Sequence, residues 1–272
     1  MKNKAERIAK KINSENLIIL EGAISVLSAI HSDYSNIIKI ILKLDLQNKN
    51  TRKILSAVNF DMIDYFSYNE FSIFEDIINK TGIYSLGKTH GGIIALASKR
   101  RFLTPEELLL INPRTLAVIE GIEDPYNLGY AVRALYTQGI SGLIIPERDF
   151  GFSESTIEKA STGTFYKMPA AAFSNKLDLL KLLKDNNFTI YCIDKNAPPD
   201  LKDKIPVKDI FDIKFADKTV FIIGGEKRGI SKDFLNNADE IVRIPYANSF
   251  SHSLAAQTAA TIVSYEIHRQ RR

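Results

Sequence analysis

The run Thr219-Val220-Phe221-Ile222-Ile223-Gly224-Gly225-Glu226-Lys227-Arg228-Gly229 decides the fold. Thr219 to Ile223 reads as a continuous apolar segment, the pattern of a strand buried on both faces of a parallel sheet. It stops at Gly224 and Gly225, where missing side chains let backbone amides approach a ligand closely. Glu226 stands just beyond that gap. Ile241 to Pro245 repeats the order of strand then loop, and an alanine-rich helix is expected to begin near Ser253. As neighbours, the two strands would end in polar loops on one edge, the place where open α/β sheets bind ligands. The stretch therefore predicts a small-molecule site.

Working outward, 272 residues with 45% hydrophobic content are enough for a sizeable core in one or two domains. The net charge of +4 permits a polyanionic partner without requiring one. Basic residues cluster at Lys2 to Lys11, Lys99 to Arg101 and Arg269 to Arg272, which solvated helix ends would also explain. Cys192 is the single cysteine, so an intramolecular disulfide framework and a cysteine zinc cluster are excluded. Its setting, Thr-Ile-Tyr-Cys-Ile-Asp, reads as a buried strand, and the thiol as a small core group rather than a nucleophile. No apolar segment is long enough to span a bilayer and no signal peptide is evident, so a cytoplasmic location and no membrane partner are expected.

In chain order, residues 1–16 read as a charged helix, Leu17 to Glu21 as a strand, and Gly22 to His31 as a helix with Ile24, Leu27 and Ile30 on its apolar stripe. Ile37 to Leu44, Met62 to Phe66 and Gly92 to Ala97 read as strands. Thr51 to Val58 and the segment carrying Phe71, Phe74, Ile77 and Ile78 read as helices. This is a small alternating α/β unit of ordinary domain size. Leu103 to Arg114, with two prolines, reads as a linker, although Pro105-Glu-Glu is a possible helix start. Beyond it Leu116–Ile119, Gly142–Ile145, Ile190–Ile193, Val220–Ile223 and Ile241–Ile244 alternate with helical segments, which predicts a parallel sheet covered on both faces.

Gly82-Ile-Tyr-Ser-Leu-Gly87-Lys88-Thr89 matches the P-loop pattern, the basis of a nucleotide-hydrolase reading. That mechanism needs a buried strand before the loop and a helix after it, and the sequence reads the other way round. His90, beside two glycines, is either a substrate contact or a turn histidine. A stronger signal is Gly121-Ile-Glu-Asp-Pro-Tyr-Asn127-Leu-Gly129-Tyr-Ala-Val-Arg133, which follows a strand and opens a helix. Asn127 suits the cap of that helix, whose N-terminus favours an anion. Val132, Leu135 and Gly139 are expected on its core face, and Tyr130, Arg133 and Thr137 on another. From this stretch alone, an ordinary cap and a surface arginine is the simpler reading.

Taken together, Asp124-Pro-Tyr-Asn-Leu-Gly with Arg133, Gly224-Gly-Glu-Lys-Arg-Gly229, and Ile244-Pro with Ser253-Leu254 resemble the three ordered motifs of the SpoU/TrmH family of SPOUT RNA methyltransferases. Lys159-Ala-Ser-Thr-Gly-Thr with Met168-Pro is similar too, and the resemblance covers roughly residues 115–268. Residues 17–101 resemble, more weakly, the ribosomal-protein-like substrate-binding domain that often precedes it.

The resemblance implies an α/β protein. A smaller RNA-substrate-binding α/β domain (1–105) and a linker (106–114) would precede a SPOUT-type parallel sheet with a deep trefoil knot (115–272). It implies S-adenosylmethionine as cofactor, held by Gly224, Ile244 and Leu254. It further implies methyl transfer to a ribose 2′-hydroxyl of RNA, rRNA rather than tRNA, by a homodimer without metal. Asn127, Arg133, Glu226 and Ser253 take the catalytic positions. A guanidinium stays protonated in proteins, so Arg133 is expected to hold phosphate or stabilise a developing alkoxide rather than act as base. One departure stands out: the family usually has Ser-Leu-Asn where this chain has Ser253-Leu254-Ala255. Asn248, His252 or Gln257 would have to supply the lost side-chain contact. The departure motivates the alternative of an RNA-binding protein on the same scaffold with weak or no catalysis.

Overall fold

The computed structural model describes residues 2–34, 36–82, 84, 86–148, 150–151, 153–195, 204–225 and 228–272. The chain divides into two compact units, Met1–Arg101 with Phe150–Lys167, and Phe102–Asp149 with Met168–Arg272. No described helix is long and apolar enough to cross a membrane.

The elements of the first unit are α1 (Lys2–Ser14), β1 (Ile18–Glu21), α2 (Gly22–Ile30), β2 (Ile37–Lys43), α3 (Lys49–Ala57), β3 (Ile63–Phe66), α4 (Tyr68–Lys80) and β4 (Ile93–Ala97). The strands form a sheet in the order β1-β4-β2-β3, with β1 and β2 antiparallel to β4 and β3 parallel to β2. Strand alternation separates two cores. Ile19, Ile41, Ile94 and Leu96 pack with Phe71, Phe74 and Ile78 of α4 and Ile12 of α1. Ile18, Leu20, Ile40, Leu42, Ile93 and Ala95 pack with Val26 and Ala29 of α2 and Ile54 of α3. Successive side chains point to opposite faces of a strand, so one apolar run supplies both layers. The expected stripe of α2 holds at Leu27 and Ile30, which pack half-buried against this second core, and is corrected at Ile24, which is 56% exposed; the fully buried positions are Ser25, Val26, Ser28 and Ala29.

The second unit begins with α5 (Pro105–Leu109), β5 (Thr115–Ile119), α6 (Pro125–Thr137) and β6 (Gly142–Pro146). The chain then contributes α7 (Ser153–Ala160) to the first unit. It returns with β7 (Ala170–Phe173), α8 (Lys176–Asp185), β8 (Thr189–Ile193), β9 (Val207–Asp209), β10 (Thr219–Ile223), α9 (Lys232–Leu235), β11 (Glu240–Arg243) and α10 (Ala256–Gln270). The strand order is β7-β6-β5-β10-β8-β11-β9, and every pairing is parallel. β5 and β10 are buried along their whole length, as a sheet covered on both faces requires. α10 packs on α6 and on β10.

Three expectations about organisation change. Residues 106–114 are not a bare linker: Thr104 forms a capping box with Glu107, and Leu108 is fully buried in the core of the second unit. A side chain on Gly142 would lie 2.9 Å from Leu108, so this turn is packed tightly onto β6. Two strands beyond the expected five complete the sheet. β7 is Ala-Ala-Ala-Phe and β9 is Val-Lys-Asp at an exposed edge, and neither carries the β-branched run that marks a strand. Gly139 follows the end of α6 in a left-handed conformation (φ 77°) and is not part of its core face.

Residues 150–167 join the first unit through buried polar groups. The Tyr166 hydroxyl donates to Glu154 Oε1 at 2.7 Å, and the Arg100 amide donates to the same oxygen at 2.6 Å. The buried Arg100 guanidinium lies 4.8 Å from the Tyr34 ring and 4.7 Å from the Phe165 ring. Glu158 is fully buried, and neither carboxyl oxygen has a hydrogen-bond partner among the described residues. Burial pushes its carboxyl up to about 8, against the pull of the Tyr166 amide and Arg100.

Candidate functional site

The C-terminal ends of β8, β10 and β11 open into a cleft of about 650 Å³, lined by residues 193–195, 223–225, 229–230, 244, 246, 252–256 and 259. This is the sheet edge at which parallel α/β folds receive ligands, and the volume suits a small molecule. Glycine forms its floor for a reason of packing. A Cβ on Gly224 would lie 2.1 Å from the Gly229 carbonyl carbon, and one on Gly225 would lie 2.6 Å from the Gly121 carbonyl oxygen. Gly225 and Gly229 also exchange two backbone hydrogen bonds, of 3.1 and 2.9 Å. Three backbone segments thus meet where no side chain fits.

The walls combine apolar and polar groups. Ile223 and Ile230 are buried, while Ile244 and Leu254 are half-buried beside them. The loop from Tyr246 to Leu254 is fastened at two points. The Leu254 amide donates to the Tyr246 hydroxyl at 2.8 Å. Lys195 Nζ donates to the Phe250 carbonyl and, at 3.5 Å, to that of His252, and it lies 5.0 Å from the Tyr246 ring centre. Behind the glycine floor, Glu120 accepts from the Ser231 amide at 2.8 Å and pairs with Lys176 at 2.6 Å.

Of the residues expected from sequence, Gly224, Ile244, Ser253 and Leu254 all line this cleft. Asn127 does not cap α6. Asp124 does, accepting from the Asn127 amide at 2.8 Å with Pro125 at the first helical position. Asp124 holds the extended N-cap position just before the helix, from which a side-chain oxygen reaches the amide three residues on, whereas Asn127 already lies within the first turn. Asn127 Oδ1 instead accepts from Gln257 Nε2 of α10 at 3.1 Å. Arg133 is exposed on α6 and is not among the residues lining the cleft. Glu226 lies outside the described residues.

Ser253 does not cap the last helix either: Ala255 holds the N-cap position, with no side-chain bond to the helix. The departure from Ser-Leu-Asn therefore falls on the one position where an asparagine side chain would satisfy the amides of α10. Among the proposed substitutes, His252 lines the cleft, Gln257 is turned to Asn127, and Asn248 is exposed. Asp194, Lys195 and Tyr246 line the cleft and were not singled out from sequence. Their signal was positional, since the first two directly follow a predicted strand and Tyr246 follows Ile244-Pro245.

The P-loop match is excluded by its context. α4 precedes it, and a single 3-10 turn (Lys88–His90) leads into β4. His90 is a turn residue: Nε2 lies 2.6 Å from Glu75, Nδ1 accepts from the Gly92 amide at 3.0 Å, and the ring stacks on Phe71. Cys192 is fully buried in β8, and burial pushes its thiol up, which suits a core group. Among the described residues no three His, Cys, Asp or Glu side chains cluster as metal ligands would.

The SpoU rRNA Methylase family profile matches residues 114–265. A Staphylococcus epidermidis protein named as a TrmH family tRNA/rRNA methyltransferase is 30% identical over 188 residues, covering 67% of this chain and 71% of that protein. The fold is shared with the SpoU methyltransferase AviRb of Streptomyces viridochromogenes, solved in complex with AdoMet (TM-score 0.73, 19% identity, 96% of this chain and 93% of that one). It is also shared with an RNA 2′-O ribose methyltransferase (TM-score 0.72, 18% identity, 98% and 96% of the two chains).

Proposed function

The chain belongs to the SpoU rRNA methylase family, and from that premise we propose that it moves a methyl group from S-adenosylmethionine to a ribose 2′-hydroxyl of RNA, with rRNA the favoured substrate, in the cytoplasm. The observation that carries the reading is the convergence of Gly224, Ile244, Ser253 and Leu254 on one cleft at the strand ends. The residues present fit the cofactor. Ile223, Ile230, Ile244 and Leu254 offer apolar surface for an adenine ring, and Asp194 and Lys195 offer opposite charges for an amino-acid zwitterion. S-adenosylmethionine supplies an electrophilic methyl group when bound.

In this reading Gly224, Ile244 and Leu254 hold the cofactor, and Ser253 hydrogen-bonds near the reacting hydroxyl. Glu226 orients loop or substrate, and Asn127 positions the motif through Gln257. Arg133 carries phosphate or developing alkoxide charge, since a guanidinium is a poor base. Its exposed position on α6 supports a homodimer in which a second copy completes the site. Tyr126 and Tyr130 of α6 and Tyr265 of α10 are exposed on the same pair of helices. The trefoil threading of the C-terminal segment and the use of the first unit as an RNA-binding domain belong to the same reading.

A second reading, RNA binding with weak catalysis, is favoured by the uncapped Ala255 alone. Calorimetric titration with S-adenosylmethionine tests the cofactor site. The wild-type chain should bind, and Ile244→Glu, which sets a carboxylate among apolar groups, should weaken binding at least about tenfold. Absence of wild-type binding would overturn the reading.

A further inference from the structure

The chain between β11 and α10 contains no helix or strand, and residues 247–253 are all exposed. Among the described residues, none of positions 245–254 forms a backbone–backbone hydrogen bond. A loop of this kind opens readily unless side chains hold it, because water can replace whatever contacts it makes. Yet Ser253 and Leu254, near its end, line the glycine cleft. Their place in the cleft therefore depends on what fastens the loop.

The fastening comes from a strand remote in sequence. Lys195 lies just past the end of β8, beside Asp194. Its ammonium donates to the Phe250 carbonyl and, at 3.5 Å, to the His252 carbonyl, and it lies 5.0 Å from the centre of the Tyr246 ring. One side chain thus engages both ends of the exposed stretch. The loop's own rings gather around that point: Phe250 lies 6.5 Å from the Tyr246 ring and 5.4 Å from that of His252. Hydrogen bonds from a charged donor are stronger than neutral ones, and a cation over an aromatic face adds to them. Two carbonyls use two of the three donors of an ammonium, so Lys195 can hold the loop and still present charge to a ligand.

We propose that Lys195 is a positioning residue for the glycine cleft, holding the 246–254 loop, and with it Ser253 and Leu254, against the end of β8 before a ligand arrives. A wall already in place spares the ligand the entropy of ordering it. For its ligand this rests on the S-adenosylmethionine reading above, whereas the hold on the loop does not.

Two measurements on the full chain test it. Limited chymotrypsin digestion, with the fragment that begins at Ser251 followed by mass spectrometry, reads opening of the loop at Phe250, which is 55% exposed. Calorimetry reads S-adenosylmethionine affinity. Lys195→Met keeps the length of the side chain and removes its donors and charge. It should speed cleavage after Phe250 about tenfold and weaken cofactor binding about tenfold, with the melting temperature unchanged. Lys195→Arg, which retains donors and charge, should restore most of both. Affinity that falls without faster cleavage would make Lys195 a direct ligand of the cofactor. Faster cleavage with unchanged affinity would make the loop's attachment irrelevant to the site. Either result, or no change in both, overturns the positioning role. Failure of the wild type to bind S-adenosylmethionine would overturn the cofactor reading, and the cleavage rates would still judge the hold on the loop.

Discussion

The Tyr246 hydroxyl accepts the Leu254 amide at 2.8 Å and so closes the loop that forms one wall of the glycine cleft. Tyr246→Phe removes the acceptor and keeps the ring. A net hydrogen bond is worth about 0.5–1.5 kcal/mol, so S-adenosylmethionine affinity should fall about two- to tenfold with little change in thermal stability. Calorimetry on the two proteins checks this. An equal loss of melting temperature and affinity would mean that the bond serves the fold rather than the cleft.

Gly225 and Gly121 are in backbone contact, and a methyl group at 225 would sit 2.6 Å from a carbonyl oxygen that cannot swing away. Gly225→Ala should therefore destabilise the chain by about 1–3 kcal/mol, as overpacking does, and abolish cofactor binding by displacing the floor. Gly151→Ala is the control. No atom lies within 4 Å of its Cβ position, although its φ of 53° adds modest strain. Denaturant melts of both variants separate the two effects.

Ala255 begins α10 with extended backbone and no capping side chain. Ala255→Asn should stabilise the chain by about 1 kcal/mol, the usual worth of an N-cap. If the missing contact also limits catalysis, methyl transfer should rise with it. A stabilised variant with unchanged turnover would confine the effect of Ala255 to the helix.

Glu158 gives a pH signature. Its folded carboxyl is raised from 4.5 to about 8, first by burial, and Glu154 nearby is raised as well. Across that window the folded chain keeps a proton that the unfolded chain has released. The contribution of this carboxyl to stability is therefore greatest at the acid end of that window, falls as pH rises, and levels off above about 8. The groups facing this carboxyl are Glu154, Arg100 and Lys167. Glu158→Gln should flatten the slope of melting temperature against pH and stabilise the chain at the alkaline end. The gain should be on the order of a few kcal/mol. A variant that keeps the wild-type slope would contradict the assignment.

Much of the architecture could be read from strands whose burial on both faces leaves long apolar runs, as at Thr219–Ile223. The Gly224–Gly225 pair marked the cleft because a turn without side chains is needed there. Other features were hidden because neighbours in space decide them. Asp124 and Asn127 are both good caps, and only the helix start chooses between them. Ile24 looked like core because the helical period fits, yet the buried face of α2 is the one carrying Val26 and Ala29. The membership of residues 150–167 in the first unit rests on Glu154, Tyr166 and Arg100, side chains that read as surface charge or scattered aromatics in one dimension.

The most direct measurement is transfer of labelled methyl from S-adenosylmethionine to RNA by the wild type and Arg133→Ala, followed by alkaline hydrolysis, which a 2′-O-methyl group blocks at its own linkage. Label retained in an alkali-resistant dinucleotide with wild type, and lost with Arg133→Ala, is the predicted result. Label on a base, or transfer that Arg133→Ala leaves unchanged, would contradict ribose methylation supported by Arg133.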